Sequence, residues 1–269
     1  MIEIVRGPRG EKKMENEGMD PGRIDNVRSY GRIAEMWDRN RRERGIDPAV
    51  ADWSKMLPHD AAILDIGCGS GYPIDVFLSG RGFTVTGIDP SKEMIGLANR
   101  LELDGASFQA CGLFEFEPDA PFDAVIAFDS LFHIDLDSQP AIYPKVASWL
   151  KPGGLFLFTH GKKTGTVSGK MFGESFLYGA LDADRLRGCL GEIGLEPIWF
   201  YEDYEAPVTG QRDLLVLARK TEENDSDRRE HTDAHPVSLD AGNGTGRAAR
   251  TIHGGESYRR FPDGGDPLP

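Results

Sequence analysis

Hydrophobic positions along the chain fall into short runs separated by polar, glycine-containing turns. Ala62, Ile63, Leu64 and Ile66 form one such run, interrupted only by Asp65, as expected of a strand buried on both faces. It ends in Gly67-Cys68-Gly69-Ser70-Gly71, after which Ile74, Phe77 and Leu78 recur at helical spacing. The stretch 84–88 alternates and is β-branched, predicting a second strand that ends at Asp89. Ser91 starts a helix that runs to Leu101, and the segments 106–110 and 122–127 read as the third and fourth strands. A helix over 138–150 leads through Lys151-Pro152-Gly153-Gly154, read as a turn, into a fifth strand over 155–159. Strands alternating with helices predict an α/β fold with a mostly parallel sheet.

Upstream, Tyr30, Ile33, Ala34 and Trp37 occupy one face of a helix, and Arg39, Arg41, Arg42 and Arg44 follow. This segment is either a solvated basic helix end or a helix lying across a ligand site. Asp47-Pro48 then caps and starts a second helix that stops before Pro58. Downstream, 160–180 reads as a long glycine-dotted loop. Its Phe172, Phe176, Leu177 and Tyr178 make it the expected wall of a substrate pocket. A helix from Asp182 buries Leu186, Leu190 and Ile193 and stops at Gly194, and strands over 196–201 and 213–219 close the domain as a hairpin.

The glycine spacing narrows the chemistry. A dinucleotide turn needs G-x-G-x-x-G, whereas here the third glycine, Gly71, comes one position early and Tyr72 fills the required place. Asp65, at the end of the preceding strand, would repel a pyrophosphate and suits a cationic ligand. Asp89 stands 22 residues past Gly67 (89 − 67), where a carboxylate can accept hydrogen bonds from a ribose diol. A helix cap is the alternative role, but Ser91 is available for that.

The block Asp65-Ile66-Gly67-Cys68-Gly69-Ser70-Gly71 resembles the first motif of class I S-adenosylmethionine-dependent methyltransferases. Trp149-Leu150-Lys151-Pro152-Gly153-Gly154-Leu155 resembles a later block of the same family, and the order of blocks over 63–159 agrees. The likeness extends to the ubiquinone/menaquinone-biosynthesis type of methyltransferase. It implies a Rossmann-like seven-stranded sheet with helices on both faces, S-adenosyl-L-methionine as cofactor, and methyl transfer to an oxygen or nitrogen of a small molecule. It makes Asp65, Gly67, Cys68 and Gly69 cofactor-binding residues and puts Asp89 on the ribose. Pro90 and Met94 would border the adenine, and Tyr30 and Trp37 would close the site from the N-terminal helix. Cys111 stands where the family usually has an Asp for the adenine amino group, which leaves that contact to the backbone near Gly112 and Leu113. Asp129 falls at the cofactor edge, His133 is the candidate general base with an ionisation near pH 6–7, and the closing hairpin brings Gln211 and Arg212 near the pocket. The Asn/Asp-Pro-Pro-aromatic turn of base-methylating relatives is absent, since Asp129-Ser130-Leu131-Phe132 holds the position.

Composition adds limits rather than direction. Of 269 residues, 39% are hydrophobic and 28% charged, with a net charge of −13, which argues against a nucleic-acid partner and for a small-molecule acceptor. The N-terminus is too polar for a signal peptide, and Met14 and Met19 offer alternative starts. A cytoplasmic location without a membrane partner is the expectation. Cys68, Cys111 and Cys189 suggest neither a disulfide framework nor a zinc site. Three regions are expected: an unstructured 1–25, a domain over 26–220, and an acidic tail over 221–269, in which 10 of 49 residues are apolar. Tail residues His231, His235 and His253 read as solvated, with no metal site. Two rivals are a non-catalytic S-adenosylmethionine-binding regulator and a nicotinamide-dependent oxidoreductase, the second lacking its glycine fingerprint.

Overall fold

The computed structural model describes residues 24–206 and 209–221. The expected flanking segments therefore lie outside the described residues, the tail histidines included, except for Ile24, Asp25 and Thr221. In chain order the elements are α1 (Asn26–Arg42), α2 (Pro48–Ser54), β1 (Ala62–Ile66), α3 (Ile74–Gly80), β2 (Thr84–Asp89), α4 (Lys92–Asn99), β3 (Ala106–Ala110) and β4 (Phe122–Ala127). There follow α5 (Gln139–Trp149), β5 (Leu150–His160), β6 (Gly165–Met171), β7 (Glu174–Ala180), α6 (Ala183–Glu192), β8 (Leu195–Ala206) and β9 (Gly210–Lys220).

Seven strands make one sheet in the order β3-β2-β1-β4-β5-β9-β8. The first five are parallel and the β8–β9 hairpin joins β5 antiparallel. Side-chain alternation sends Ile63, Ile126 and Leu157 to one face, against Val50 and Trp53 of α2 and Leu78 of α3. Leu64, Val125, Phe156 and Phe158 go to the other, against Tyr143 and Val146 of α5 and Leu186 and Leu190 of α6. Helices on both faces explain why these strands read as continuous apolar runs. Among the described residues, no helix is long and apolar enough to cross a membrane.

Three segments differ from the sequence expectation. The Lys151-to-Gly154 turn lies inside β5: Phe122 pairs with Leu150, but Ala124 pairs with Leu155, and the extra residues bulge out, with Gly153 at φ +75°. The expected loop over 160–180 is instead an antiparallel hairpin, β6–β7, in register from Gly165↔Ala180 to Met171↔Glu174. Its paired backbone satisfies groups that an open loop would leave to water. The closing β8–β9 hairpin is also longer than expected, and α1 starts at Asn26, capped by Asp25, whose side chain accepts from the Arg28 N–H.

Candidate cofactor and active site

A cavity of about 350 Å³ opens at the carboxyl ends of β1, β2 and β4, where open α/β sheets place their ligands. Of the sequence-predicted site residues, Tyr30, Trp37, Asp65, Gly67, Cys68, Gly69, Asp89, Pro90, Met94, Gly112, Leu113, Asp129 and His133 line it. Helix α1 borders one side and contributes Asn26, Tyr30, Trp37 and Arg41 to the lining.

The glycine turn is fixed by the strand ends around it. Gly67, Gly69 and Gly71 have φ of +76°, +58° and +81°, a region costly for residues with a Cβ. A Cβ on Gly67 would lie 2.4 Å from Cβ of Ser130, whose hydroxyl donates to the Ile66 carbonyl at 2.6 Å. The Gly67 and Cys68 N–H groups both donate to the Ile88 carbonyl, at 2.7 and 3.1 Å. Asp89 completes the tie: its carboxylate accepts from Gly69 N–H at 3.1 Å and from Ser91 N–H at 2.8 Å. Ser91 Oγ accepts from Met94 N–H at 3.3 Å and so caps α4 itself. Burial pushes the Asp89 carboxyl up to about 6, against the lowering effect of those two hydrogen bonds.

Beneath the turn sits an acid pair that the sequence reading missed. Asp75, in the first turn of α3, is fully buried, and no N–H or O–H donor among the described residues reaches either of its oxygens. Its neighbour is the buried Asp65 carboxyl, and the two can hydrogen-bond only if one of them holds a proton. Burial raises both; for Asp75 the charge of Asp65 adds to it. The signal was present, since Asp75 is a lone acid beside Ile74 on the segment whose Leu78 packs inward. After β3, Cys111 Sγ donates to the Gly112 carbonyl at 3.3 Å. Glu115 also lines the cavity there; its carboxylate would lie 2.3 Å from a Cβ on Gly112.

The other end of the cavity is basic. Asp129, predicted at the cofactor edge, lines the cavity with φ +59°, but its carboxylate is committed elsewhere. It accepts from Arg212 Nε at 2.9 Å and Nη2 at 2.7 Å, with Arg41 Nη2 3.8 Å away. Burial alone would raise this carboxyl; the charges of Arg212 and Arg41 and the hydrogen bonds outweigh it and hold it below the usual carboxylate range. Arg212 reaches the site as expected, whereas Gln211 is exposed and does not line it. Asp47, Arg44 and Thr209, none of them expected as site residues, line this end as well.

His133 is placed differently from a free base. Tyr30 Oη lies 2.7 Å from Nε2, and Leu177 O lies 3.3 Å from Nδ1. The Asn26 amide nitrogen donates to the carbonyls of His133 and Leu177 at 3.1 and 2.9 Å. With both amide hydrogens so used, Nδ1 carries the imidazole proton toward Leu177 O, and Nε2 accepts from the Tyr30 hydroxyl. Burial pushes the imidazole down to about 4, more than the Leu177 hydrogen bond and the Asp129 charge raise it. The expected ionisation near pH 6–7 is therefore corrected: the ring is neutral throughout that range. A pH profile of turnover should show no His133 limb between pH 6 and 8; a limb in kcat that disappears in His133→Ala would contradict this.

The β6–β7 hairpin is also not the expected pocket wall. Phe176 is buried with its ring centroid 4.8 Å from Tyr30, Tyr178 is 5.0 Å from His133, and Phe172 is exposed. These rings back the residues that line the cavity. Asn26, which ties α1 to β7 through the Leu177 N–H and carbonyl at 2.9 Å each, gave no sequence signal.

Residues 37–174 match the family described as "Methyltransferase domain". Phosphoethanolamine N-methyltransferase 3 of Arabidopsis thaliana is 35% identical over 106 residues, 36% of this chain and 20% of its own length. Sterol 24-C-methyltransferase ERG6B of Gibberella zeae is 29% identical over 126 residues, 41% of this chain and 32% of its own. The chain thus spans about a third or less of these curated relatives. Among solved structures, a SAM-dependent methyltransferase from Methanosarcina mazei is similar with a TM-score of 0.55 and 25% identity, covering 66% of this chain and 99% of that one.

Proposed function

The chain belongs to the methyltransferase-domain family, and from that premise we propose that it is an enzyme that binds S-adenosyl-L-methionine in this cavity and methylates an oxygen or nitrogen of a small molecule. The observation that carries the reading is the pair Asp65 and Asp89, near and at the ends of the adjacent parallel strands β1 and β2, on either side of a glycine turn that leaves no Cβ in the way. The residues fit the cofactor at three points. The Asp89 carboxylate, already oriented by two backbone N–H groups, has lone pairs left for a ribose diol. Asp65 supplies an acid at the end that takes an ammonium. Pro90, Met94 and Leu113 supply an apolar slot for a purine.

The cofactor supplies an already activated methyl group. What this chain's residues contribute is binding, orientation and exclusion of water. Burial lifts the Tyr30 hydroxyl well above its usual range, so it stays protonated, held toward His133. His133 is thus a positioning residue for Tyr30 rather than the proton acceptor that the sequence suggested. An acceptor in this site loses its proton to solvent or arrives as a neutral amine. The absence of the Pro-Pro-aromatic turn after β4 and the net charge of −13 support a small-molecule acceptor over nucleic acid.

The test is incubation of the full chain with S-adenosylmethionine and a metabolite extract. Release of S-adenosylhomocysteine together with a product one methyl heavier is the expected result. Binding of S-adenosylhomocysteine without turnover on any fraction would favour a non-catalytic regulator.

A further inference from the structure

We propose that His160 and Gln139 form a proton-dependent hold on the turn over 131–134, the turn that carries His133. The hold is complete when both ring nitrogens of His160 bear protons and loses one hydrogen bond when only one does. Its bearing on methyl transfer rests on the reading above, because Leu131, His133 and Ile134 line the cavity.

The turn is held through its carbonyls by two side-chain amides. Asn26 donates to the His133 carbonyl at 3.1 Å. Gln139, the first residue of α5, is fully buried. Its nitrogen donates to the carbonyls of Leu131 and Ile134 at 2.9 Å each and reaches that of Gly179 on β7 at 3.3 Å. Three carbonyl oxygens around one amide atom identify it as nitrogen, since an oxygen there would face three acceptors. Oε1 is then the atom that faces His160 Nε2, at 3.0 Å.

Both ring nitrogens of His160 therefore point at acceptors, because Nδ1 lies 2.6 Å from the Gly161 carbonyl. A neutral imidazole has one N–H to give. It belongs on Nδ1, where the closer approach would make two facing lone pairs repel more. That leaves the Nε2 lone pair against Oε1 of Gln139. Neither side chain can turn away: Gln139 is tied at its nitrogen, and His160 is 2% exposed at the end of β5. Two buried acceptors facing each other are costly. A second proton on the ring turns their contact into a charge-assisted hydrogen bond.

The charged and titratable groups around the ring set the pH at which this happens. From β9, the Asp213 carboxylate would lie 3.9 Å from a Cβ on Gly161, and its charge favours the imidazolium. From α5, the Tyr143 ring centroid is 6.4 Å away; burial keeps its hydroxyl protonated, and Cys189 of α6 acts on it in the same sense. Lys162, two residues on, is paired with Asp203. Burial of the ring outweighs Asp213 and the Gly161 carbonyl and moves uptake of the second proton below the ordinary histidine range. The ring is thus neutral at pH 7.5, and the hold on the turn tightens on acidification.

The test is nuclear magnetic resonance of the full, cofactor-free chain with nitrogen-labelled histidine, titrated from pH 7.5 to 4.5. His160→Gln or His160→Phe identifies the His160 signals among the six histidines. At pH 7.5 the ring should carry its proton on Nδ1, and it should take up the second with a midpoint below about 6.5. The His133 signals should move with that midpoint. In Gln139→Met the midpoint should fall by roughly one pH unit, the scale of a hydrogen bond to a charged group, and the accompanying movement of His133 should vanish. Gln139→Glu, which puts an anionic oxygen in the same place, should raise the midpoint and decides the matter if the methionine variant does not fold. A neutral ring protonated on Nε2, a ring that takes up no second proton before the chain unfolds, His133 signals indifferent to the His160 midpoint, or a midpoint that neither variant moves would overturn the proposal. None of these measurements needs the cofactor. A chain that shows the coupled titration but binds no S-adenosylhomocysteine would overturn the methyltransferase reading and leave the hold standing.

Discussion

Arg212→Gln should lower the stability of the folded protein by about 3 kcal/mol, the lower end of the cost of breaking a buried ion pair. For a folded unit near 200 residues this is roughly 6–12 °C in Tm. The loss comes from Asp129, whose carboxylate would keep only the 3.8 Å contact to Arg41 and the Thr159 hydroxyl at 3.3 Å. Asp129→Asn combined with Arg212→Gln should recover part of the stability, because the uncompensated charge is then gone. The pH dependence has a definite sign. Asp129 is held below its unfolded-state value, so its contribution is present above about pH 4 and is lost as pH falls through the folded-state value. Thermal unfolding at pH 7.5 checks the first claim, and a fall of less than about 2 °C would contradict it.

Cofactor affinity should rise on the order of 10³-fold between pH 5 and pH 7.5. Asp65 and Asp89 must be ionised to hold an ammonium and a ribose diol, yet in the cofactor-free protein burial pushes them up to about 7 and about 6. Each pH unit below such a value costs about tenfold in the ionised fraction. Stability of the cofactor-free protein runs the opposite way. Both carboxyls keep protons that an unfolded chain releases near pH 4, so their contribution is lost as pH rises from about 4 through 7. Binding should therefore release protons, which calorimetry in buffers of different ionisation enthalpy reads directly. Asp75→Asn supplies a permanent donor to Asp65, so it should shift the affinity profile toward lower pH. An affinity that is flat from pH 5 to 7.5, with no proton release, would show that neither carboxyl titrates on binding.

The parts of this molecule legible in its sequence are those governed by local pattern. The doubly buried strands β1, β2 and β4, the Asp47, Ser91 and Asp182 caps and the glycine turn follow from runs, spacing and cap chemistry within a few residues. The β6–β7 hairpin was missed because Gly165–Met171 has little apolar content, so the aromatics of Glu174–Ala180 read as a pocket wall with no strand to pair with. The start of β5 at Leu150 was missed because Pro152 and Gly153-Gly154 read as a stop, whereas a bulge absorbs them. The state of His133 lay beyond any local reading: Asn26, Tyr30 and Leu177 are 107, 103 and 44 residues away in sequence. The same is true of Asp129, whose partner Arg212 is 83 residues downstream. Sequence named the lining around the glycine turn but not Asp47 or Thr209; the hydrogen-bond partners that set each group's chemistry come from tertiary folding.

The central claim, that the turn between β1 and α3 holds S-adenosylmethionine, is tested most directly by calorimetric titration of the full chain with S-adenosylhomocysteine at pH 7.5, beside an identical titration with NAD. The account predicts one site per chain for S-adenosylhomocysteine, none for NAD, and a loss of roughly tenfold or more in Asp89→Ala, as removal of a charged hydrogen-bond partner implies. Absence of S-adenosylhomocysteine binding, or an unchanged affinity in a folded Asp89→Ala variant, would contradict it.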